Sequence, residues 1–345
     1  MSFLQSVGQQ IILIEYFILA RIMLWDTLSQ PVDAGKWLSQ SELPGPSWII
    51  WILAAFLVVR FLHVFCSPAV PHVTLLDKSA NTAMKELIDG IRMLKEPYHP
   101  PFLWGRSGHV QTAAYGLLGH ASLRRSFDRR AAVRLNDGTT VTFDIFEPIS
   151  KHKSGRDVTL ALTPGIANSS ESNYIRTCVH YAQERGYRCV VLNHLGALSD
   201  VKLTGTRIFS YGGTDEIQAM MQYMFAEYSD SLFINIGFSM GGNITTRFLL
   251  QIDHEHRYLN FIQFIIVRVN INSHIFRHRI ILGLSVGQGY SASVSAPMYH
   301  DWENGRRAYN YIITENMKRL LRRNYTQAVV PHVKSGLIDE QVVYA

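Results

Sequence analysis

The stretch Ile236-Gly237-Phe238-Ser239-Met240-Gly241-Gly242 decides how the rest of the chain is read. It carries the G-x-S-x-G pattern in which a serine sits on a tight turn between a strand and a helix, with glycines two residues before and after it. The glycines are needed because the serine backbone is strained and a side chain at either flank would clash. The apolar run 232–236 (LFINI) predicts a buried strand, and 242–252 (GNITTRFLLQI) predicts a helix, so both flanks of the turn are present. Ser239 is therefore the candidate nucleophile. A Gly-Ser-Gly turn without chemistry is the plain alternative, and the strand and helix on either side weigh against it. A serine of this kind needs a base and an orienting acid, which on folds with this turn follow it in the order Ser, Asp/Glu, His.

Outward from the turn, residues 131–135 and 140–146 alternate around Asn136-Asp137-Gly138 and predict a hairpin. A strand at 157–163, the loop PGIAN, a helix over 171–185, a strand at 187–193, the loop HLGAL and a helix over 214–227 lead up to the turn. Residues 281–286 (ILGLSV) supply the next strand. Strands and helices alternating at this spacing predict an α/β fold with a mostly parallel, doubly wound sheet. The apolar stretch between Arg257 and Ile280 is longer than the short loop that joins such elements. Residues 258–279 read as an insertion, with an extra helix or strand as the alternative.

Ahead of this domain, the 19 residues from Trp48 to Cys66 (WIIWILAAFLVVRFLHVFC) form an apolar run. As a helix it would extend roughly 28 Å, which matches a bilayer core. Arg60 and His63 lie toward one end, where an arginine can reach the interface, and tryptophans mark the other. A transmembrane helix over 48–66 is expected, with a buried core helix as the alternative. The preceding segment 1–47 holds a shorter apolar stretch, Ile11 to Leu24, interrupted by Glu15 and Arg21 and better suited to an interface. Residues 67–100 contain Pro68, Pro71, Pro97 and Pro100 and read as a connector, leaving 101–345 as the catalytic-type domain.

Composition narrows the partners. Of the residues, 47% are apolar and only 17% charged, which suits a chain that meets lipid. The net charge of +6 is spread over short pairs such as Arg124-Arg125 and Arg322-Arg323, without the runs that nucleic-acid binding uses. Cys66, Cys178 and Cys189 make neither a disulfide framework nor a metal-ligand spacing, and the last two read as small buried hydrophobes. Sequons begin at Asn168, Asn243 and Asn324.

Five strings, PPFLWGRSGHVQT (100–112), LTPGIANSSESNYIRT (162–177), GYRCVVLNHLGAL (186–198), GFSMGGN (237–243) and VGQGYSA (286–292), closely resemble the abhydrolase domain-containing protein 2 family. The resemblance runs from about Trp48 to the C-terminus apart from the suspected insertion. It implies an α/β-hydrolase fold and a single-pass anchor in the cell or endoplasmic reticulum membrane. It also implies a serine hydrolase, free of metal or cofactor, acting on lipid esters such as monoacylglycerols. Ser239 is the nucleophile by this route too. The backbone N–H groups of Met240 and of Ile166, in the PGIAN loop, are implied as the oxyanion hole.

The departure lies after the serine. The family's acid stands in a D-D-P-L loop and its base in an H-G-G-H-L-G string, and this sequence holds neither. Asp301, Asp339, His300 and His332 follow Ser239 without the family's setting. The expectation is a fold whose C-terminal part, with the triad acid and histidine, is missing. A second reading follows, in which the fold has lost turnover and binds a lipid or steroid-like ligand. His152 and Asp157 match an H-x4-D arrangement that some relatives share with acyltransferases, but their polar KHKSGRD setting reads better as a solvated turn.

Overall fold

The computed structural model describes residues 47–61, 70–71, 73, 82–101, 105–118, 126–252, 264–267, 279–289, 291–298 and 306–344. The chain divides into two compact units, Met1–His72 with Ile91–Gly119, and Val73–Gly90 with His120–Ala345.

In the first unit, helix α1 spans Ser47–Phe61, 15 residues. Ile50, Trp51, Ile52, Leu53, Phe56 and Leu57 are all exposed along it. At 1.5 Å per residue α1 is roughly 22 Å long, short of a bilayer core of about 30 Å. Among the described residues no helix is long and apolar enough to cross a membrane. The expected span 48–66 is thus helical as far as Phe61, while its remainder, 62–66, and the Ile11 to Leu24 stretch lie outside the described residues. Further along, a 3-10 turn at Arg92–Leu94 leads toward helix α3, Gly108–Leu118. Gly105 donates its N–H to the Pro101 carbonyl at 2.8 Å. A Cβ there would stand 2.4 Å from the Pro101 ring, so the WGRSG string needs glycine for a close chain approach.

The second unit begins with helix α2, Thr82–Gly90, and is built on seven strands among the described residues. These are β1 Arg129–Arg134, β2 Thr140–Phe146, β3 Val158–Thr163, β4 Arg188–Asn193, β5 Leu232–Phe238, β6 Phe264–Val267 and β7 Ile280–Val286. They lie in the order β1-β2-β4-β3-β5-β7-β6. β4, β3, β5 and β7 are parallel, while β1 pairs antiparallel with β2, β2 with β4, and β6 with β7. The sheet is therefore parallel at its centre, as expected, and antiparallel at both edges. The hairpin forms at Asn136-Asp137-Gly138, where Gly138 has φ +84° and the Asp137 carboxylate accepts the Thr139 N–H at 2.9 Å.

Helices α4 Asn173–Gln183, α5 Asp215–Glu227 and α6 Met240–Ile252 connect the central strands. Alternation along the strands sorts the core onto two faces. Leu160, Leu162, Cys189 and Val191 pack with Ile175 and Val179 of α4. Ala161, Val190, Leu192 and Phe233 pack with Met220 and Met224 of α5 and Phe248 of α6. Phe143, Phe233 and Phe248 are fully buried there, each stabilising the fold by roughly 2–3 kcal/mol relative to an exposed ring. Cys189 is buried and Cys178 half-buried, both as free thiols, and burial raises both above the ordinary thiol range.

Two differences from expectation concern the elements after β5. Helix α6 begins at Met240, two residues before the expected start, because the turn hands the chain straight to the helix after Ser239. Within the suspected insertion, residues 264–267 form β6, which runs from Phe264 opposite Val286 to Val267 opposite Gly283 and covers the outer edge of β7. Residues 258–263 and 268–278 lie outside the described residues.

Beyond β7 come helices α7 Ala292–Met298, α8 Arg306–Arg323, a π turn Tyr325–Val329, α9 Val330–Lys334 and α10 Glu340–Tyr344. They meet the loop after β4: the Arg323 guanidinium donates to the Ala197 carbonyl at 2.8 Å and Asn324 Nδ2 to the Gly196 carbonyl at 3.2 Å. Asn324 is buried with its amide nitrogen also bonded to the Leu320 carbonyl at 3.0 Å. The third sequon is therefore closed to glycan attachment in the folded chain.

Candidate active site

Chain order and sheet order part company at β3: the chain passes to β4 on one side, then to β5 on the other. Such a switch opens a crevice at the carboxyl ends of the strands, where ligands of open α/β sheets bind. Ser239 stands there, one residue past β5 and exposed. Its φ is +51°, the left-handed region that a non-glycine residue adopts only under constraint. The constraint is visible on both sides. The Ser239 N–H donates to the Val286 carbonyl at the end of β7 at 2.8 Å, and its own carbonyl accepts from Gly242 N–H at 2.9 Å.

The flanking glycines are required by backbone, not by flexible side chains. A Cβ at Gly237 would lie 2.2 Å from the Gly241 carbonyl oxygen, and one at Gly241 would lie 2.1 Å from the Thr163 and 2.3 Å from the Pro164 carbonyl oxygens. The first turn of α6 is thereby pressed against the end of β3, and its free N–H groups and dipole face the crevice.

The PGIAN loop, Pro164 to Asn168, reaches over to the serine: a Cβ on Gly165 would be 3.4 Å from Ser239 Cβ. Asn168 N–H closes the loop on the Gly165 carbonyl at 3.2 Å, with Ala167 at φ +57°. The far end is fastened by Ser170, whose N–H donates to Asn193 Oδ1 at 2.9 Å and whose hydroxyl donates to the buried Asp144 carboxylate. Arg130 holds Asp144 through contacts of 2.7 and 3.0 Å. Among the described residues, neither the Ile166 nor the Met240 N–H is engaged in a hydrogen bond. The structure thus brings Ser239 and Met240 against the loop that holds Ile166, and leaves both N–H groups without a partner among the described residues.

Two residues of this site escaped the reading of the sequence. His194, just past β4, is buried, and its Nε2 lies 2.9 Å from the Pro164 carbonyl oxygen. Burial lowers its pKa to about 4, with the Pro164 bond opposing the shift. A carbonyl oxygen only accepts, so the neutral ring carries its proton on Nε2 and donates it there. Tyr174, in the first turn of α4, accepts the Gly165 N–H at 2.8 Å. Both stand inside the strings NHLGAL and SNYIRT. The signal that could have found His194 is the polar pair Asn193-His194 directly after the four-residue apolar run Cys189 to Leu192, where buried polar groups need partners.

No imidazole is hydrogen-bonded to the Ser239 hydroxyl among the described residues. His332 Nε2 is 2.9 Å from the Thr206 carbonyl oxygen, Asp339 accepts the Gln341 N–H at 2.9 Å, and His300 and Asp301 lie outside the described residues. His152 and Asp157 are at the other end of the sheet. Asp157 precedes β3 and is held by Arg188 at 2.7 Å, and six residues of β3 separate it from the crevice, roughly 20 Å.

A serine elbow at the end of the fifth strand, on this strand order, defines an α/β hydrolase. A family model described as alpha/beta hydrolase fold matches residues 158–257, the part that carries the loop and the elbow. The chain is 38% identical to abhydrolase domain-containing protein 2 of Drosophila melanogaster, over 84% of this chain and 67% of that protein. It is 39% identical to monoacylglycerol lipase ABHD2 of Danio rerio over 83% of this chain, and 36% identical to its Homo sapiens namesake over 81%. The chain belongs to the abhydrolase domain-containing protein 2 family, and it spans about 60% of the length of these two lipase relatives.

Proposed function

We propose that the chain is a membrane-associated serine hydrolase of lipid esters such as monoacylglycerols. The observation that carries this reading is the left-handed Ser239 held against the Gly165 loop beside two open N–H donors. Such donors are fixed before charge develops, so they stabilise a tetrahedral oxyanion without reorganising. Relatives named monoacylglycerol lipase support the acylglycerol substrate class. The exposed apolar side chains of α1 support attachment to a lipid surface at residues 48–66. Labelling of Ser239 by a fluorophosphonate probe, lost in Ser239→Ala, together with turnover of a monoacylglycerol by the same preparation, is the test; an unlabelled wild-type chain overturns the nucleophile.

A second reading rests on one observation, that no imidazole is bonded to the Ser239 hydroxyl among the described residues. In it the crevice holds a lipid or steroid-like ligand without turnover. Titration of the chain with a fluorescent fatty acyl glycerol separates the two, because saturable binding without release of fatty acid belongs to the second reading alone.

A further inference from the structure

We propose that His194 and Tyr174 are positioning residues of the oxyanion hole, which clamp the Pro164–Gly165 peptide by its two ends and thereby set the direction of the Ile166 N–H. The proposal rests on the reading of Ser239 as nucleophile. The Pro164 carbonyl and the Gly165 N–H are the two polar ends of one planar peptide group. His194 Nε2 reaches the carbonyl at 2.9 Å, and Tyr174 Oη receives the N–H at 2.8 Å. That plane cannot turn about its Cα–Cα axis without breaking both bonds at once.

The next peptide, Gly165–Ile166, inherits this orientation. Its carbonyl is held by Asn168 N–H at 3.2 Å, so its N–H, antiparallel to the carbonyl in a trans peptide, is turned away from that closure. Tyr174 has taken the Gly165 N–H and the loop closure the Asn168 N–H, which leaves the Ile166 N–H, the first donor after the clamped peptide, open together with that of Ala167 among the described residues. A Cβ at 165 would stand in ordinary van der Waals contact with Ser239 Cβ at 3.4 Å, so space alone does not call for glycine there, and glycine is the residue that surrenders most rigidity. Two side chains from outside the loop restore it.

Each clamp residue is itself fixed. The Tyr174 ring packs edge to face on Phe238 at 5.2 Å, and Phe238 is the residue directly before the nucleophile, so one side chain ties the loop to the elbow. The His194 ring lies 5.5 Å from that of Phe209. The Pro164 carbonyl is also confined from the α6 side, where Gly241 leaves no room for a Cβ. Because His194 spends its one proton on Pro164, it positions the loop and does not serve as base through Nε2.

The test uses the 345-residue chain and four forms of it: wild type, Tyr174→Phe, His194→Leu and His194→Gln, the last keeping an amide donor near the position of Nε2. The second-order rate of fluorophosphonate labelling and the kcat and KM for a p-nitrophenyl ester are measured for each. Tyr174→Phe and His194→Leu are expected to slow labelling and kcat by about 10–100-fold, short of the loss of an oxyanion donor itself, with KM within about twofold. His194→Gln is expected to regain most of the rate. Wild-type rates in both Tyr174→Phe and His194→Leu overturn the clamp, as does a Gln variant as slow as the Leu variant with an unchanged melting temperature. If wild type does not label at all, the nucleophile reading fails by itself, and the clamp is judged by amide hydrogen exchange at Asn168. Its protection should fall about tenfold in Tyr174→Phe; unchanged protection refutes the clamp.

Discussion

The two ends of the same sheet carry similar residues and opposite physics. At the amino ends, Arg188 is paired with Glu147 at 2.9 Å and Asp157 at 2.7 Å, and His152 is bonded within its own turn to Ser154. At the carboxyl ends, Ser239 is held in a left-handed conformation, two backbone donors are left open, and a histidine and a glutamate are buried in their neutral-favouring settings. A histidine and an acid near one another identify neither end. Strain that the surrounding structure enforces, with donors aimed at nothing, identifies the second.

The largest expected effect tests the carboxyl end directly. Ser239→Ala should lower labelling and ester turnover by at least about 10³-fold while leaving the melting temperature within a few degrees, because an exposed hydroxyl contributes little to folding. Residual labelling above that level would move the nucleophile elsewhere. Gly241→Ala comes next. Its Cβ would meet two backbone carbonyls, that of Thr163 at the end of β3 and that of Pro164 in the loop after it, and backbone cannot step aside as a flexible side chain can. A loss of at least ~3 kcal/mol in denaturant unfolding, with activity falling alongside, is expected. A neutral Gly241→Ala would mean that α6 and the end of β3 are less tightly joined than described.

The two buried titratable groups should shape stability in opposite directions. Burial depresses His194 from 6.5 to about 4, so between those values the unfolded chain binds more protons and stability is lost as pH falls through about 4. Burial raises Glu216 from 4.5 to about 7, opposed by the Arg207 charge, so the folded chain binds more protons there and stability is lost as pH rises through about 7. Each limb is worth about 3 kcal/mol, and between pH 4.5 and 6.5 they oppose each other. His194→Gln should remove the acid limb and Glu216→Gln the neutral one, measured as unfolding free energy against pH. Parallel curves for either variant and wild type would show that its group does not titrate with folding. Asn324→Ala tests the cover over the loop after β4. Loss of its amide bonds to Gly196 and Leu320 should cost about 1–2 kcal/mol, and protease sensitivity should rise in 306–344 before it rises in the sheet.

The elements that periodicity and turn chemistry govern were legible in the sequence. The hairpin at Asn136-Asp137-Gly138, the central strands and the elbow fall within a residue or two of expectation, because alternating apolar residues and obligatory glycines are local signals. The loop that holds Ile166 was read between a strand and a helix and its oxyanion role came from the resemblance, while its contact with Ser239 follows from strand order, which no local signal encodes. Tyr174 and His194 were illegible as site residues because their roles are single hydrogen bonds to backbone atoms brought close by β3 lying between β4 and β5. β6 was read as inserted chain, since a four-residue strand depends on the partner edge that β7 offers rather than on its own pattern.

The smallest expected effect closes the comparison from the amino end. His152 Nδ1 lies 2.7 Å from Ser154 Oγ within its own turn, and its ring rests on Tyr187 at 4.5 Å. Asp157 is committed to Arg188, and its side chain is 37% exposed, so solvent screens the pair and its contribution stays below about 1 kcal/mol. Neither group faces the crevice, and β3 keeps both roughly 20 Å from Ser239. His152→Ala should therefore change unfolding free energy by no more than about 0.5 kcal/mol and leave Ser239 labelling and ester turnover at wild-type rates. If the H-x4-D pair instead deprotonated an acceptor hydroxyl, acyl transfer from an acyl donor to a lipid alcohol would be present in wild type and absent in His152→Ala. That outcome would give the amino end of the sheet a chemistry of its own and break the distinction between saturated and strained polar clusters.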